Sequence, residues 1–177
     1  MTEDDWDVLL KWNNDPEVLY YCDCVTSWDL EPMKKMYRGV SQKAFCFIIE
    51  FEGQPIGECW LQQMNLDRIL DKYPGKDCRR IDLMIGERHL WGQGLGTDVI
   101  RALTRFGFEE QGADMIFGCS IADYNPRSLR AFRKVGYEIN AKIEQRPDKK
   151  AQYEIDVVLS REARRQAARG CSEGGAR

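Results

Sequence analysis

The run Gly92-Gln93-Gly94-Leu95-Gly96-Thr97 sets three alternating glycines between an apolar stretch, residues 79–85, and an amphipathic one, residues 95–111. Hydrophobic spacing makes the first a strand and the second a helix, with Val99, Ile100, Leu103, Phe106 and Phe108 on its buried side. A backbone amide approaches an anion closely only where no side chain intervenes, and a helix start adds unpaired N–H groups and the positive end of its dipole. The loop therefore reads as a phosphate cradle. It is not a P-loop, because Thr97 follows Gly96 without the lysine such a loop requires. Nor is it a dinucleotide fingerprint in an N-terminal βαβ unit, because it lies mid-chain. A glycine turn without a ligand remains the alternative, although three alternating glycines are costly at a helix entry.

Outward from the loop, residues 115–121 read as a strand. Residues 126–135 read as a helix with Asn125 as N-cap, Pro126 at its first position and Gly136 at its stop. Residues 137–145 and 152–159 form two strands around the charged turn Arg146-Pro147-Asp148-Lys149-Lys150. Upstream, residues 44–51 and 56–64 make a hairpin about the turn Glu52-Gly53-Gln54-Pro55. Residues 65–78 are polar and too long for an ordinary connection, which marks a functional loop. The first segment is an amphipathic helix over residues 3–14, capped by Thr2 and ended by Asn13-Asn14-Asp15 and Pro16. A second short helix runs through Tyr37 from a cap at Ser27 or Asp29, and the loop between carries Tyr20, Tyr21 and Trp28. Beyond Arg161 the Arg-, Ala- and Gly-rich chain reads as a frayed helix passing into disorder. The expectation is one α/β domain over residues 1–160, without internal repeats, and a disordered tail over 161–177.

Composition narrows the chemistry. With 177 residues, 43% of them hydrophobic, the chain can bury one sizeable core. No apolar run spans a bilayer and the acidic start Thr2-Glu3-Asp4-Asp5-Trp6 is unlike a signal peptide, so the expected location is cytoplasmic. The seven cysteines, at 22, 24, 46, 59, 78, 119 and 171, include no Cys-x-x-Cys pair and read as free thiols. His89 is the only histidine, which argues against a Ser-His-Asp triad, and no metal site is expected. A net charge of −3 argues against nucleic acid and for a cationic small molecule drawn to an acidic cleft. Monomer and homodimer both stay open.

Two runs carry a family resemblance. Gly86-Glu87-Arg88-His89-Leu90-Trp91-Gly92-Gln93-Gly94-Leu95-Gly96-Thr97, followed by Asn125-Pro126-Arg127-Ser128-Leu129-Arg130-Ala131-Phe132-Arg133-Lys134-Val135-Gly136-Tyr137, resembles the acetyl-CoA signature of GNAT acetyltransferases. Leu9-Leu10-Lys11-Trp12, Pro55-Ile56-Gly57-Glu58, Ile81-Asp82-Leu83-Met84-Ile85-Gly86 and Leu129-Arg130-Ala131 are similar to the aminoglycoside 6'-N-acetyltransferases within that superfamily. The resemblance covers roughly residues 5 to 160. It implies the GNAT fold: a central mixed, mostly antiparallel sheet, splayed between the fourth and fifth strands and flanked by helices. It also implies acetyl-CoA as co-substrate. Pantetheine would lie along Leu83, Met84 and Ile85, and the pyrophosphate on the amides of Gln93, Gly94, Leu95, Gly96 and Thr97. Asn125 would contact the cofactor, and Arg130 or Lys134 its adenosine phosphates.

An attacking amine must lose a proton. In the resistance acetyltransferases an aspartate on the strand before the glycine loop stands at the acceptor amine, and Asp82 holds the matching position. Strand alternation sets it on the face opposite Leu83; the alternative is a surface carboxylate or an ion pair with Arg79 or Arg80. The remaining acceptor contacts are sought among the acids Asp71, Asp123, Glu144 and Asp156, with Trp28 and Tyr73 able to stack on sugar rings. Two departures stand out. Phe132 occupies the place of the family's usual tyrosine, leaving solvent, Tyr124, Tyr137 or an unprotonated thiolate to end the reaction. A first strand common in relatives is also missing. The implied function is acetylation of an aminoglycoside amine, the 6'-amino group, giving antibiotic resistance. The rivals are another amine acceptor (a protein N-terminus, a polyamine or a siderophore precursor) and a non-catalytic acyl-CoA sensor.

Overall fold

The computed structural model describes residues 1–22 and 27–173, the side chains of 168–173 excepted. A 3-10 turn at Glu3–Asp5, closed by a capping box between Thr2 and Asp5, leads into α1 (Trp6–Trp12). The chain does not pass into a loop at Pro16 as expected. Asp15 Oδ1 instead accepts from the amides of Glu17, at 2.9 Å, and Val18, at 3.3 Å, and Pro16 opens α2 (Pro16–Cys22). Proline has no N–H to lose at a first helical position, so the residue that seemed a stop signal is a start signal. Tyr20 and Tyr21 are thus helical. Helix α3 spans Leu30–Val40.

Strands β1 (Ala44–Phe51) and β2 (Gln54–Gln63) form the expected hairpin, with a turn shorter than the four residues foreseen. Glu52 and Gly53 both take positive φ, +51° and +74°, the geometry of a two-residue hairpin turn. Pro55 then falls inside β2, opposite a bulge at Ile49/Glu50, where its missing N–H breaks no regular ladder. The long loop holds one helical turn, α4 (Asp67–Leu70). Beyond it come β3 (Cys78–Ile85), α5 (Leu95–Glu109), β4 (Met115–Ala122), α6 (Pro126–Val135), β5 (Glu138–Glu144), β6 (Tyr153–Ser160) and α7 (Arg161–Glu173). The helix expected from Arg161 is α7, fastened at its start: Arg161 Nε donates to Ala113 O at 2.8 Å. Residues 174–177 lie outside the described residues, as do 23–26.

The six strands form one mixed sheet in the order β1-β2-β3-β4-β6-β5, antiparallel except for β3 with β4. The foreseen splay counts a family strand that has no counterpart before Ala44 among the described residues, so its fourth and fifth strands correspond to β3 and β4. The interrupted pair is β3 with β4, joined only through Cys78–Arg80 and Met115–Phe117. No strand precedes Ala44 among the described residues. Beyond Phe117, β4 carries a bulge between Gly118 and Ile121, with Ser120 at φ +52°. A bulge bends its strand, which accounts for the divergence.

Helices cover both faces. One core joins β1–β4 and β6 to α5 and α6 through Leu61, Ile81, Ile100, Ile116, Phe132 and Val157. On the opposite face Leu9, Trp12, Met33 and Tyr37 of α1 and α3 pack over Trp60 and Met84. A smaller cluster of Met64, Ile69, Cys78 and Phe117 seats the α4 turn. None of the described helices is long and apolar enough to cross a membrane.

Candidate active site

Where β3 and β4 part, a cavity of about 330 Å³ opens between β3, the glycine loop, α6 and α2. Gly94 sits at φ +93° as the cap of α5, a conformation that suits glycine, and its carbonyl accepts from Thr97 N at 2.8 Å and Asp98 N at 3.1 Å. The amides of Leu95 and Gly96 precede the first intrahelical bond and have no carbonyl one turn earlier to meet. The helix start adds its positive dipole end, so this wall suits an anion. Across the cavity α6 begins at Asn125, whose Oδ1 accepts from Ser128 N at 3.3 Å and whose Nδ2 donates to Tyr21 O at 3.4 Å.

Of the residues assigned to the cofactor from sequence, Leu83, Met84, Ile85, Gly94, Leu95, Gly96, Thr97, Asn125, Arg130 and Lys134 all line this one cavity. The Gln93 side chain instead donates to His89 O at 3.1 Å. Tyr21, Trp91 and Arg127 also line the cavity and are not among the residues assigned from sequence. Arg127 lies 4.4 Å from the ring centroids of both Tyr21 and Trp91, which meet edge to face at 5.6 Å. Trp91 Nε1 donates to Ile85 O at 2.7 Å and so ties the glycine loop to the end of β3. The Asp15-Pro16 helix start was the sequence signal for the wall that carries Tyr21.

Asp82 lies two residues past the last β3–β4 pair, opposite Trp60 in the β2 register. It is paired with Arg80, one of the two arginines considered: Nε and Nη2 reach its two oxygens at 2.9 and 2.8 Å. Gln62 Nε2 adds a third donor at 2.6 Å. Arg79 points to the other face and binds Asp77. Beside Asp82, on the same face of the sheet, Glu58 of β2 is buried under α3. Its oxygens accept from Tyr37 Oη at 2.5 Å and Trp60 Nε1 at 3.0 Å. Burial pushes its carboxyl up to about 7, outweighing those two donors, which pull it down. The same burial, with the Glu58 charge, lifts the Tyr37 hydroxyl well above its ordinary range.

The other acids are dispersed. Asp156 is wholly buried on β6, held bidentate by Arg68 of α4 at 2.9 and 3.0 Å, and accepts from Ser120 N at 2.8 Å. Those bonds engage its carboxylate inside the protein, where a substrate contact was foreseen. Asp123 Oδ1 accepts from Tyr124 N, and Oδ2 from Gln152 N. Glu144 is exposed and pairs with Lys142, and Asp71 ends α4 in solvent. Tyr73 Oη donates to Asn140 Oδ1 at 2.7 Å, and Trp28 exchanges two backbone hydrogen bonds with the Asn14 amide. Phe132 is buried against Gly118 and Tyr137, and the Tyr137 hydroxyl lies 2.7 Å from Thr104 Oγ1 on α5. Among the described residues no group of three or more His, Cys, Asp or Glu could hold a metal, and Cys46, Cys59, Cys78 and Cys119 are free thiols. The side chains of Cys24 and Cys171 lie outside the described residues.

A family model described as an acetyltransferase (GNAT) domain matches residues 1–138. Among solved structures, the aminoglycoside acetyltransferase AAC(6')-Ib in complex with coenzyme A aligns with a TM-score of 0.80. The two share 23% identity over 95% of this chain and 96% of that one. Spermidine N-acetyltransferase from Vibrio cholerae, in complex with CoA and spermine, aligns with a TM-score of 0.75 at 13% identity over 92% of this chain and 94% of that one. At these identities the likeness is one of fold.

Proposed function

The chain belongs to the GNAT acetyltransferase family and is an acetyl-CoA-dependent N-acetyltransferase, and from that premise we propose that its acceptor is a primary amine of an aminoglycoside, the 6'-amino group. Acylating that amine removes a positive charge and a hydrogen-bond donor from the antibiotic, which is the basis of the resistance we infer. Bound acetyl-CoA supplies an activated thioester. The glycine loop and the start of α5 offer amides and a dipole to its pyrophosphate, and Arg130 and Lys134 offer charge at the same cavity. Asp82 accepts a hydrogen bond from the acceptor amine and relays the proton that the amine loses as it attacks.

The observation that carries this reading is position. Asp82 directly precedes the three residues, Leu83 to Ile85, that wall the cavity, and lies just beyond the point where β3 and β4 stop pairing. This supports a carboxylate adjoining the residues along which the thioester would lie. Phe132 is packed into the core and has no proton to give. Tyr137 is buried against Thr104, so the leaving thiolate is protonated by solvent or Tyr124, or departs unprotonated, since a thiol's pKa of about 8.5 makes this inexpensive near neutrality.

Thiol release from acetyl-CoA, followed with kanamycin-type aminoglycosides, polyamines and peptide amines, identifies the acceptor class. The expected result is turnover with the aminoglycosides, and turnover with another class alone would replace the assignment. Asp82→Asn should lower kcat with the true acceptor by on the order of 10²-fold, with acetyl-CoA affinity nearly intact. Unchanged turnover in that variant would remove Asp82 from the mechanism.

A further inference from the structure

The acceptor-side carboxylate is already engaged. One guanidinium, that of Arg80, spans both Asp82 oxygens, and Gln62 adds its donor to Oδ2. The remaining nitrogen, Arg80 Nη1, donates to Asn65 Oδ1 at 3.2 Å. The two side chains are 22% and 32% exposed, so the pair is partly withdrawn from water yet open on one side. The other titratable and charged groups around it are Glu58 on β2, Cys119 on β4, Arg68 on α4 and Asp156 on β6. Arg68 and Asp156 compensate each other. An amine reaching Asp82 thus meets a neutralised carboxylate with a cation alongside.

That arrangement bears on protonation. An amine attacks only as the free base, whereas an alkylamine in neutral water is an ammonium. An uncompensated aspartate would bind the ammonium well and hold it in its unreactive form, because an opposite charge within ~4–6 Å favours the charged state. A neighbouring cation does the reverse. Resting on the assignment of Asp82 to the acceptor, we propose that Arg80 is a positioning residue that offsets the Asp82 charge, so that the acceptor amine binds as the free base. A carboxylate has about four acceptor sites, and Arg80 and Gln62 take three, leaving one for an amine N–H.

The test is the pH dependence of kcat and of the acceptor KM, followed by thiol release. Arg80→Gln should lower the acceptor KM, lower kcat at neutral pH, and raise the amine's ionisation in the kcat profile by about one pH unit. Arg80→Lys, which keeps the cation, should stay near the native profile, while KM for acetyl-CoA stays constant throughout. A purely structural arginine would raise the acceptor KM and leave the ionisation in place, and that result overturns the proposal. Because Glu58 titrates nearby, the comparison is repeated in a Glu58→Gln background, where the amine's step stands alone. Should Arg80→Gln fail to fold, Asp82→Asn leaves the cation unopposed: the ionisation should fall and the acceptor KM rise, and an upward shift would refute the idea. If kanamycin-type acceptors release no thiol while another amine does, the aminoglycoside assignment falls, and the Arg80 comparison is made on that amine.

Discussion

Glu58 shows how one buried side chain sets a property of the whole protein. Its oxygens are satisfied by Tyr37 and Trp60, and Asn13 Nδ2 in turn donates to Tyr37 Oη at 2.8 Å, so α1, α3 and β2 meet on one carboxyl. The folded-state value of about 7 exceeds the ordinary 4.5, so between those values the native state holds a proton that the unfolded chain has released. Stability from this group is therefore complete below about 4.5 and is lost as pH rises through 7. The loss amounts to roughly 3 kcal/mol. Glu58→Gln, with no proton to lose, should flatten the urea-unfolding stability between pH 5 and 8, and an unchanged slope would show that Glu58 does not titrate in that range. In the sequence Glu58 was visible only as part of Pro55-Ile56-Gly57-Glu58. Its burial is decided by α3, some twenty residues away, which no local pattern reports.

At the scale of elements, the β4 bulge is what opens the sheet. Ser120 is held at φ +52° while its amide donates to Asp156 and its hydroxyl accepts from Arg68 Nη2 at 3.2 Å. The single turn α4 is thereby tied to β6 across the diverging strands. Removing one partner of a buried pair leaves a charge uncompensated, so Arg68→Met should cost about 3 kcal/mol in urea unfolding. It should also lower acetyl-CoA affinity, as the opening between β3 and β4 loses its fixed width. Loss of stability with no change in affinity would separate the bulge from the site. Local signals located this element's ends, but Arg68 and Asp156 lie 88 residues apart and pair only through the fold.

For the whole molecule, three residue pairs between β3 and β4 join the two halves of the sheet, β1–β3 and β4–β6. A ligand lodged at that seam and touching β3, α5 and α6 should act as a brace. Coenzyme A at about 100 times its Kd should add about 2.7 kcal/mol, raising Tm by roughly 5–10 °C in a calorimetric scan. Amide exchange should slow at Leu83–Ile85 and across the glycine loop; no shift in either would remove this cavity as the coenzyme site. The sequence by itself determined the glycine loop, the helix it starts, the Asn125 cap, the hairpin and the family, because these depend on φ, on capping and on periodicity within a few residues. Only the tertiary structure decided that Asp82 is compensated by Arg80, that Asp156 is buried as a tie rather than offered to a ligand, and that Arg127 stacks between Tyr21 and Trp91. Those outcomes turn on which charges share a desolvated space, and residues distant along the chain come to share it only when the sheet is assembled.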